Sequence, residues 1–234
     1  MICRGIFMNY NIKPIAYIHS DFPDKFGIPR QSGLAASLKA TVVFEPEFRF
    51  PEAFRGLEDY SHIWLIWGFS KNKDSGWTPT VRPPRLGGNV RKGVFATRSP
   101  FRPNPIGLSS VKLETIEFHK ELGPVLHISG ADLMDGTPIF DIKPYLPYVD
   151  SHPDAANGFA GSVIDYALSV KCPDELLSIL PEDKRTALIE VLSEDPRPSY
   201  QDNPERIYGM RFSEYEVKFK VEQDVLYVIS IETL

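Results

Sequence analysis

The sequence predicts a mainly β protein, in which an antiparallel sandwich or barrel precedes a small α+β domain. Short apolar runs, rich in β-branched and aromatic residues and separated by Pro and Gly, follow one another up to residue 142, as they do in antiparallel β proteins. No helical pattern of about 10–15 residues separates these runs, which argues against a doubly wound parallel sheet. Beyond residues 150–162 the pattern changes and helices are expected.

The strands of the first domain are predicted from period-two alternation and from short buried runs. Alternation begins at residues 15–19, and the apolar runs ATVVF and HIWLIWGF are typical of buried strands. The complete set of predicted strands covers residues 15–19, 40–44, 62–69, 93–98, 109–118, 124–129 and 137–142.

The turn-rich stretch DSHPDAANGFAGS at 150–162 marks a shift to acidic composition, and we place the domain boundary there, giving domains 1–155 and 156–234. In the second domain, alternation predicts a strand over 164–170. Helices follow, with Pro173 and Pro181 in their first turns. A half-exposed strand at 214–221 is predicted to pair with residues 225–231.

Charge is distributed unevenly along the chain. The formal net charge of −5 argues against a general nucleic-acid binder. However, residues 75–113 carry seven basic side chains and no acid, whereas residues 150–209 have a net charge of −7. Because arginine binds phosphate and carboxylate through two parallel hydrogen bonds, the basic stretch predicts an anion site, with a solvated loop as the alternative.

Composition excludes several other classes of protein. Two cysteines, Cys3 and Cys172, provide neither a disulfide framework nor a zinc site. No signal peptide and no long apolar run is present, so we expect a cytoplasmic protein that does not span a membrane and holds no metal. The glycine fingerprints of P-loop and Rossmann sites are also missing.

Five segments could carry chemistry. In ATRSPFRPNPIGLS (96–109), three prolines stiffen a loop that holds Arg98 and Arg102, which lowers the entropy cost of binding. In DLMDGTPIFDIKPY (132–145), Asp132 could pair with Arg98 or bind a ligand amine or hydroxyl, whereas Asp135 is a turn residue. The segments TVRPPRLGGNVRKG (80–93) and PRQSGL (29–34) are weaker candidates. DPRPSY (195–200) could bind a flipped base through its acid and its aromatic ring. On spacing alone, a helix stop followed by a core tyrosine is the favoured interpretation.

The same segments resemble, in order and spacing, the TrmO family of S-adenosylmethionine-dependent tRNA (adenine-37-N6)-methyltransferases, together with RGLEDYSHIW and the final YEVKFKV strand. The matching motifs extend from about Ile15 to Phe219. The resemblance implies a TsaA-like β-barrel, a homodimer, and S-adenosylmethionine as cofactor. It also implies N6-threonylcarbamoyladenosine at position 37 of threonine tRNA as substrate, with its N6-methyl form as product.

The resemblance further implies a set of site residues. Cofactor contacts are expected from Gln31, Ser32, Gly33, Leu34, Ser70, Lys71, Arg98, Leu108, Ser129, Gly130, Ala131 and Asp132. The DPRPSY segment, with Pro196 and Arg197, is expected to approach the target base. With tRNA as substrate, the basic stretch predicts further contacts to phosphates and to the threonyl carboxylate from Arg82, Arg85, Arg91 and Arg102. Arg98 could serve the cofactor, the threonyl carboxylate, or both.

Methyl transfer from a sulfonium depends mainly on in-line positioning, but the acceptor nitrogen must lose a proton. We hypothesise that Asp195 or a nearby backbone carbonyl accepts this proton and that Tyr200 stacks on or orients the base. Two other functions remain open at this level: a non-catalytic RNA-binding module and a barrel methyltransferase with a small-molecule substrate.

Overall fold

Six strands close into an antiparallel barrel that occupies most of the first 144 residues. The structure, a computed structural model, describes residues 11–72, 76–83, 89–163, 166–197 and 203–234. The first eight strands are β1 (Ala16–His19), β2 (Lys39–Phe44), β3 (His62–Gly68), β4 (Thr80–Val81), β5 (Lys92–Gly93), β6 (Ile106–His119), β7 (Gly123–Ser129) and β8 (Pro138–Pro144). The barrel order is β1-β2-β7-β6-β3-β8, while β4 and β5 pair with each other in a separate ribbon.

Alternation along the strands directs one set of side chains into the barrel. In β3, Ile63 and Leu65 are fully buried, and β2 buries Val42 in the same way. These side chains form one apolar cluster with Leu126 of β7 and Ile139 of β8. The prediction of a mainly β fold with an N-terminal antiparallel barrel is confirmed.

The strand predicted over residues 93–98 is wrong. β5 ends at Gly93, and Val94–Ala96 form a 3-10 turn. The Thr97 N–H and hydroxyl both donate to the Val94 carbonyl, which closes the turn. β5 has only the two residues of β4 to pair with, so no ladder is available to extend it.

The second unit contains a four-stranded sheet with helices beside it. Its elements, preceded by α1 (Pro147–Asp150), are β9 (Ser169–Lys171), α2 (Asp174–Leu177), α3 (Glu182–Ser193), β10 (Tyr208–Phe212), β11 (Tyr215–Glu222) and β12 (Val225–Thr233). The sheet order is β10-β11-β12-β9, so the predicted pairing of 214–221 with 225–231 is confirmed. Pro173 and Pro181 are the N-cap residues of α2 and α3, one position before the first turns in which they were expected. β9 is shorter than the predicted strand, part of which lies outside the described residues.

The connection between β1 and β2 packs against the second sheet. Phe22, Ala35 and Leu38 belong to the apolar core that α3 and the second sheet form. Phe22 meets the Phe212 ring edge-on, with ring centroids 5.8 Å apart. Residues that precede β2 in sequence are therefore held by elements close to the end of the chain.

Within the described ranges, none of the helices is both long enough and apolar enough to cross a membrane. Among those same residues, no group of three or more His, Cys, Asp and Glu side chains is arranged to hold a metal ion.

Candidate cofactor and substrate site

A cavity of about 660 Å³ lies where the β1–β2 connection meets one end of the barrel. Its wall comes from the ends of β3 and β6, the Pro-rich segment 98–106, the segment 132–137 before β8, and residues 25–31 of the β1–β2 connection. Cavities for organic ligands and cofactors commonly measure about 300–1,000 Å³, so this one can hold a nucleoside-containing cofactor.

Half of the predicted cofactor residues line this cavity, although they come from five separate parts of the chain. They are Gln31, Ser70, Lys71, Arg98, Leu108 and Asp132. Leu108 presents an apolar side chain that is 51% exposed, and Arg98 is also exposed. The tertiary structure therefore brings cationic, apolar and acidic groups together around one space.

Asp132 is the acidic group of the cavity, and a chain of hydrogen bonds orients it. The Trp67 Nε1–H donates to the Ser109 hydroxyl at 3.0 Å, and this hydroxyl donates to Asp132 Oδ1 at 2.6 Å. Indole is only a donor, so the Ser109 proton must point towards the carboxylate. Burial raises the pKa of Asp132 above its usual value, while the hydrogen bond from Ser109 and the charge of Arg98 oppose this rise.

The turn at residues 31–34 is joined directly to the segment 129–132. The Gly33 N–H donates to the Gly130 carbonyl at 2.8 Å, and the Ser32 backbone hydrogen-bonds to the Asp132 carboxylate. Gly130 has a φ of +75°, and a Cβ placed there would lie 3.4 Å from the Gly33 Cα. Gln31 in turn accepts a hydrogen bond from the Arg98 guanidinium. These contacts align both predicted cofactor segments along one wall.

The other predicted cofactor residues do not line the cavity. Ser129 donates to Glu114 at 2.7 Å, and Ala131 is buried in the barrel core. The remaining four are Ser32, Gly33, Leu34 and Gly130. They belong to the turn at 31–34 and to the segment 129–132 that is hydrogen-bonded to it, and none of them lines the cavity. Their contribution to a ligand would come through the backbone or through the position of Gln31 and Asp132.

Gly107 faces the Trp67 ring so closely that a side chain would displace the ring. A Cβ at this position would lie 2.3 Å from the indole, which is far inside van der Waals contact. We therefore expect Gly107→Ala to break the bond from Trp67 to Ser109 and to cost about 1–3 kcal/mol of folding free energy. Urea denaturation measures the loss, and Gly93→Ala is the matched control, because no heavy atom lies within 4 Å of a Cβ there. Equal stabilities of the two variants would contradict the expected clash.

The DPRPSY motif begins just beyond the C-terminus of α3, and its acidic residue is buried. Asp195 has a φ of +51°, and its carboxylate accepts two hydrogen bonds from the Arg197 guanidinium, at 2.8 and 2.9 Å. The Tyr166 hydroxyl donates to the same carboxylate at 2.8 Å. Although burial raises the pKa of Asp195, the bonds from Arg197 and Tyr166 outweigh it and leave the pKa below its usual value.

This motif lies beside the larger cavity. Asp195 and Pro196 line a second cavity of about 80 Å³ between α3 and residues 25–30, and residues 25 and 28–30 also line the larger cavity. The Arg30 guanidinium donates to the Asp195 carbonyl at 3.2 Å. The β1–β2 connection thus forms a shared wall between the two spaces.

The predicted substrate-contacting arginines divide into two groups. Arg102 lines the larger cavity and donates to the Thr97 carbonyl at 3.1 Å, whereas Arg197 is bound to Asp195. Arg82 and Arg91 are exposed and lie outside the lining of either cavity. Arg85 and Tyr200 fall outside the described residues.

Sequence reasoning missed three residues that shape these sites: Trp67, Ser109 and Tyr166. Trp67 lies in an apolar run that predicts a buried strand, and the strand pattern of Ser109 does not reveal its partner 23 positions away. Tyr166 was assigned only to an alternating strand. Gly107 lies opposite Trp67 in the β3–β6 pair, and Ser109 is two residues further along β6. A glycine opposite a tryptophan indicates close packing between two strands, but the sequence does not show that these two residues are paired.

Comparison with known proteins identifies the family. The family profile described as "tRNA-methyltransferase O N-terminal domain" matches residues 17–151, and the "TrmO C-terminal domain" profile matches residues 167–234. The chain belongs to the TrmO family. The predicted family and the predicted methyltransferase class of enzyme are thereby confirmed.

TrmO-family relatives and structures match over nearly the whole chain. The Escherichia coli protein named tRNA (adenine(37)-N6)-methyltransferase is 40% identical over 232 residues, covering 96% of this chain and 98% of that protein. A Pseudomonas aeruginosa protein named putative S-adenosylmethionine-dependent methyltransferase RcsF shows the same identity and coverage. A crystal structure of TrmO from P. aeruginosa superimposes with a TM-score of 0.79 at 36% identity, covering 99% of this chain and 100% of that one.

Proposed function

We propose that this protein transfers the methyl group of S-adenosylmethionine to N6 of adenosine 37 in tRNA, with N6-threonylcarbamoyladenosine in threonine tRNA as the substrate. Membership of the TrmO family and the names of its relatives support the reaction on adenine 37. The observation that carries the proposal is the shared wall between the large cavity and the DPRPSY segment. A cofactor in the first space would lie next to a base held at the second.

The residues of the large cavity fit S-adenosylmethionine. When bound, this cofactor supplies a methyl group on a sulfonium and leaves as the neutral thioether. Asp132 offers an oriented carboxylate for its amino or hydroxyl groups, and the cavity's aromatic and apolar side chains, Trp67 and Leu108 among them, can contact its rings and chain. Arg98, held by Gln31, can meet a carboxylate of the cofactor or of the threonyl group.

The acceptor nitrogen must lose a proton, and the sequence suggested Asp195 or a nearby backbone carbonyl as the group that receives it. The hydrogen bonds of Asp195 argue against the first of these. Both carboxylate oxygens are occupied by Arg197 and Tyr166, and a lowered pKa weakens the carboxylate as a base. We therefore assign Asp195 to the orientation of Arg197 and Tyr166 beside the substrate. We propose that a nearby backbone carbonyl accepts a hydrogen bond from the N6–H, and that the proton passes to solvent water as the N–CH3 bond forms and the S–CH3 bond breaks. Tyr200 is proposed to stack on or orient the base.

Nucleoside mass spectrometry tests the proposal. Threonine tRNA carrying the threonylcarbamoyl group is incubated with the protein and S-adenosylmethionine, then digested. A gain of one methyl group on the modified adenosine is expected, and unmodified adenosine 37 should serve as the matched control substrate. Binding of the tRNA without methyl transfer would overturn the proposal in favour of an RNA-binding module.

The roles of Asp195 and Tyr200 are tested separately by single-turnover kinetics. If the rates of both Asp195→Ala and Tyr200→Phe equalled that of the wild type, neither residue would belong to the site.

The affinity for tRNA should fall steeply with salt, because arginines that contact phosphates release counterions when RNA binds. We propose that Arg82, Arg85, Arg91 and Arg102 contribute such contacts. Arg82→Ala and Arg91→Ala should each weaken binding and reduce the slope of log K against log[salt] by about 1. Filter binding at several salt concentrations measures the slope, with Arg55→Ala as a control on the loop before β3. A tRNA affinity independent of salt would contradict the phosphate contacts.

The functional unit is proposed to be a cytoplasmic homodimer, in which residues 1–155 bind the cofactor and residues 156–234 contact the tRNA. Exposed aromatic side chains on the segment around β4 and β5 support an interface between two copies, since Trp77 is 55% and Phe95 76% exposed. Sedimentation velocity of the wild type and of Phe95→Ser tests this point, because loss of the dimer in the variant is expected.

A further inference from the structure

The turn that carries Gln31 is held from two sides. On the barrel side, Gly130 accepts from the Gly33 N–H and donates its own N–H to the Leu38 carbonyl, each at 2.8 Å. Residues 33–38 therefore form a closed loop on Gly130. On the other side, Ala35 and Leu38 are buried in the core of the second unit, at 1% and 2% exposure.

A single carboxylate from α3 reaches this loop. Glu190 accepts the Ser37 backbone N–H at 2.8 Å with one oxygen and the Ser37 hydroxyl at 2.9 Å with the other. Hydrogen bonds to a charged acceptor are among the stronger ones in proteins, and both here are partly buried. The contact joins residues 153 positions apart in sequence.

We propose that Glu190 is a positioning residue for cofactor binding, acting through Ser37 on the turn that presents Gln31 to the site. The inference rests on the proposed function. It adds that the second unit contributes to cofactor affinity and does not serve the tRNA alone. Ser37 lies between the two backbone contacts of Gly130, so a shift at Ser37 moves the Gly33–Gly130 bond. That bond aligns Ser32 with Asp132 and Gln31 with Arg98.

A second contact joins α3 to the β1–β2 connection away from the turn. It provides a control that distinguishes an effect on the turn from a general loosening of the packing of α3. Lys184 donates to Asp21 at 2.5 Å, and both side chains are largely buried. Asp21 lies at the start of the connection, ten residues before Gln31. Loss of this pair should loosen the packing of α3 without moving the turn itself.

The test compares Glu190→Ala, Glu190→Gln and Ser37→Ala with Lys184→Ala in the full-length protein. Calorimetry gives the Kd for S-adenosylmethionine without tRNA, steady-state kinetics gives kcat and KM, and thermal denaturation gives Tm. We expect Glu190→Ala to raise the Kd and KM for S-adenosylmethionine about tenfold, with kcat at saturating cofactor changed less than about twofold. Glu190→Gln and Ser37→Ala each keep one acceptable hydrogen bond and should raise the Kd about threefold. Lys184→Ala should lower Tm but leave the Kd within about twofold of the wild type.

Three outcomes would overturn the inference: an unchanged Kd in Glu190→Ala, an equal rise in Glu190→Ala and Lys184→Ala, or a fall in kcat with the Kd unchanged. Because the Kd needs no tRNA, a wild type that binds S-adenosylmethionine but does not methylate tRNA would count against the proposed function alone. Ser37→Ala removes one hydroxyl and should fold, so the inference stays testable if Glu190→Ala does not.

Discussion

Replacing Asp132 with asparagine should weaken S-adenosylmethionine binding about a hundredfold, which corresponds to about 2.7 kcal/mol. The substitution removes the only charge that the Trp67–Ser109 chain orients towards the cavity. It also gives the side chain an amide donor, so one of the groups that now donate to the carboxylate, the Ser109 hydroxyl or the Ser32 backbone, is left facing another donor. Calorimetry of the purified variant measures the loss directly.

Asp135→Asn is the matched control for this prediction. Asp135 lies three residues further along, at the exposed turn before β8, and is absent from the lining of the larger cavity. Its replacement should leave the Kd within about twofold of the wild type. If both variants bound S-adenosylmethionine as the wild type does, Asp132 would have no part in cofactor binding.

Stability and pH distinguish a binding role for Asp132 from a structural one. Burial raises its pKa, so in the native state the carboxylate loses its charge at a higher pH than an ordinary aspartate, whose pKa is about 3.9. S-adenosylmethionine affinity of the wild type should fall as pH decreases through that raised value, and Asp132→Asn should lack this step. The raised pKa means that the charged form costs folding free energy at neutral pH, whereas the donor left without an acceptor in Asp132→Asn costs free energy in the opposite sense. The Tm of the variant should therefore stay close to that of the wild type.

Replacing Asp195 with alanine should destabilise the protein by about 3 kcal/mol. Arg197 is 8% exposed, and without its partner it would remain a buried, uncompensated charge. Alanine also tolerates the positive φ of this position less well than aspartate does. Urea denaturation at pH 7 measures the change, and single-turnover methylation should fall in parallel because Arg197 and Tyr166 lose their common acceptor.

The double variant Asp195→Ala with Arg197→Met separates folding from function. Removing both charges should restore part of the lost stability, because no charge is then left buried without a partner, but it should not restore methylation.

The pH dependence of stability provides a second check on Asp195. The lowered pKa means that Asp195 contributes stability above its unfolded-state pKa, near 3.9, and that this contribution is lost as pH falls through the lower native value. Asp195→Ala should lack this acid-dependent loss, and a wild-type-like acid transition in the variant would contradict the assignment.

Much of the barrel could be predicted because local alternation and burial agree there. β2 and β3 consist mostly of apolar, β-branched and aromatic residues, and each is paired over most of its length with a strand on either side. Residues 93–98 show the same local pattern, but they find only a two-residue partner and turn instead. Residues with a high β propensity therefore formed a 3-10 turn here, because no neighbouring strand was available for hydrogen bonding.

The candidate site was predictable where a motif is continuous in sequence. Gln31, Arg98 and Asp132 lie in three segments whose composition suggested binding, and the structure places all three on one cavity. Ser109 ends the segment that holds Arg98, but nothing in that segment indicated its partner, and Glu190 lies in a predicted helix that gave no binding signal. Their importance comes from partners 23 and 153 positions away, and no local pattern encodes those distances.

The sequence alone determined the β-rich class, the basic Pro-stiffened stretch and the motifs that place the chain in the TrmO family, because each depends on residues close together in the chain. Only the tertiary structure decided that Asp195 is held by Arg197 and Tyr166, that Asp132 is oriented by Trp67 through Ser109, and that the loop after the 31–34 turn is bonded to α3 through Ser37 and Glu190. These are consequences of burial and hydrogen-bond geometry. Both depend on which distant segments the closed barrel and the second sheet bring into contact.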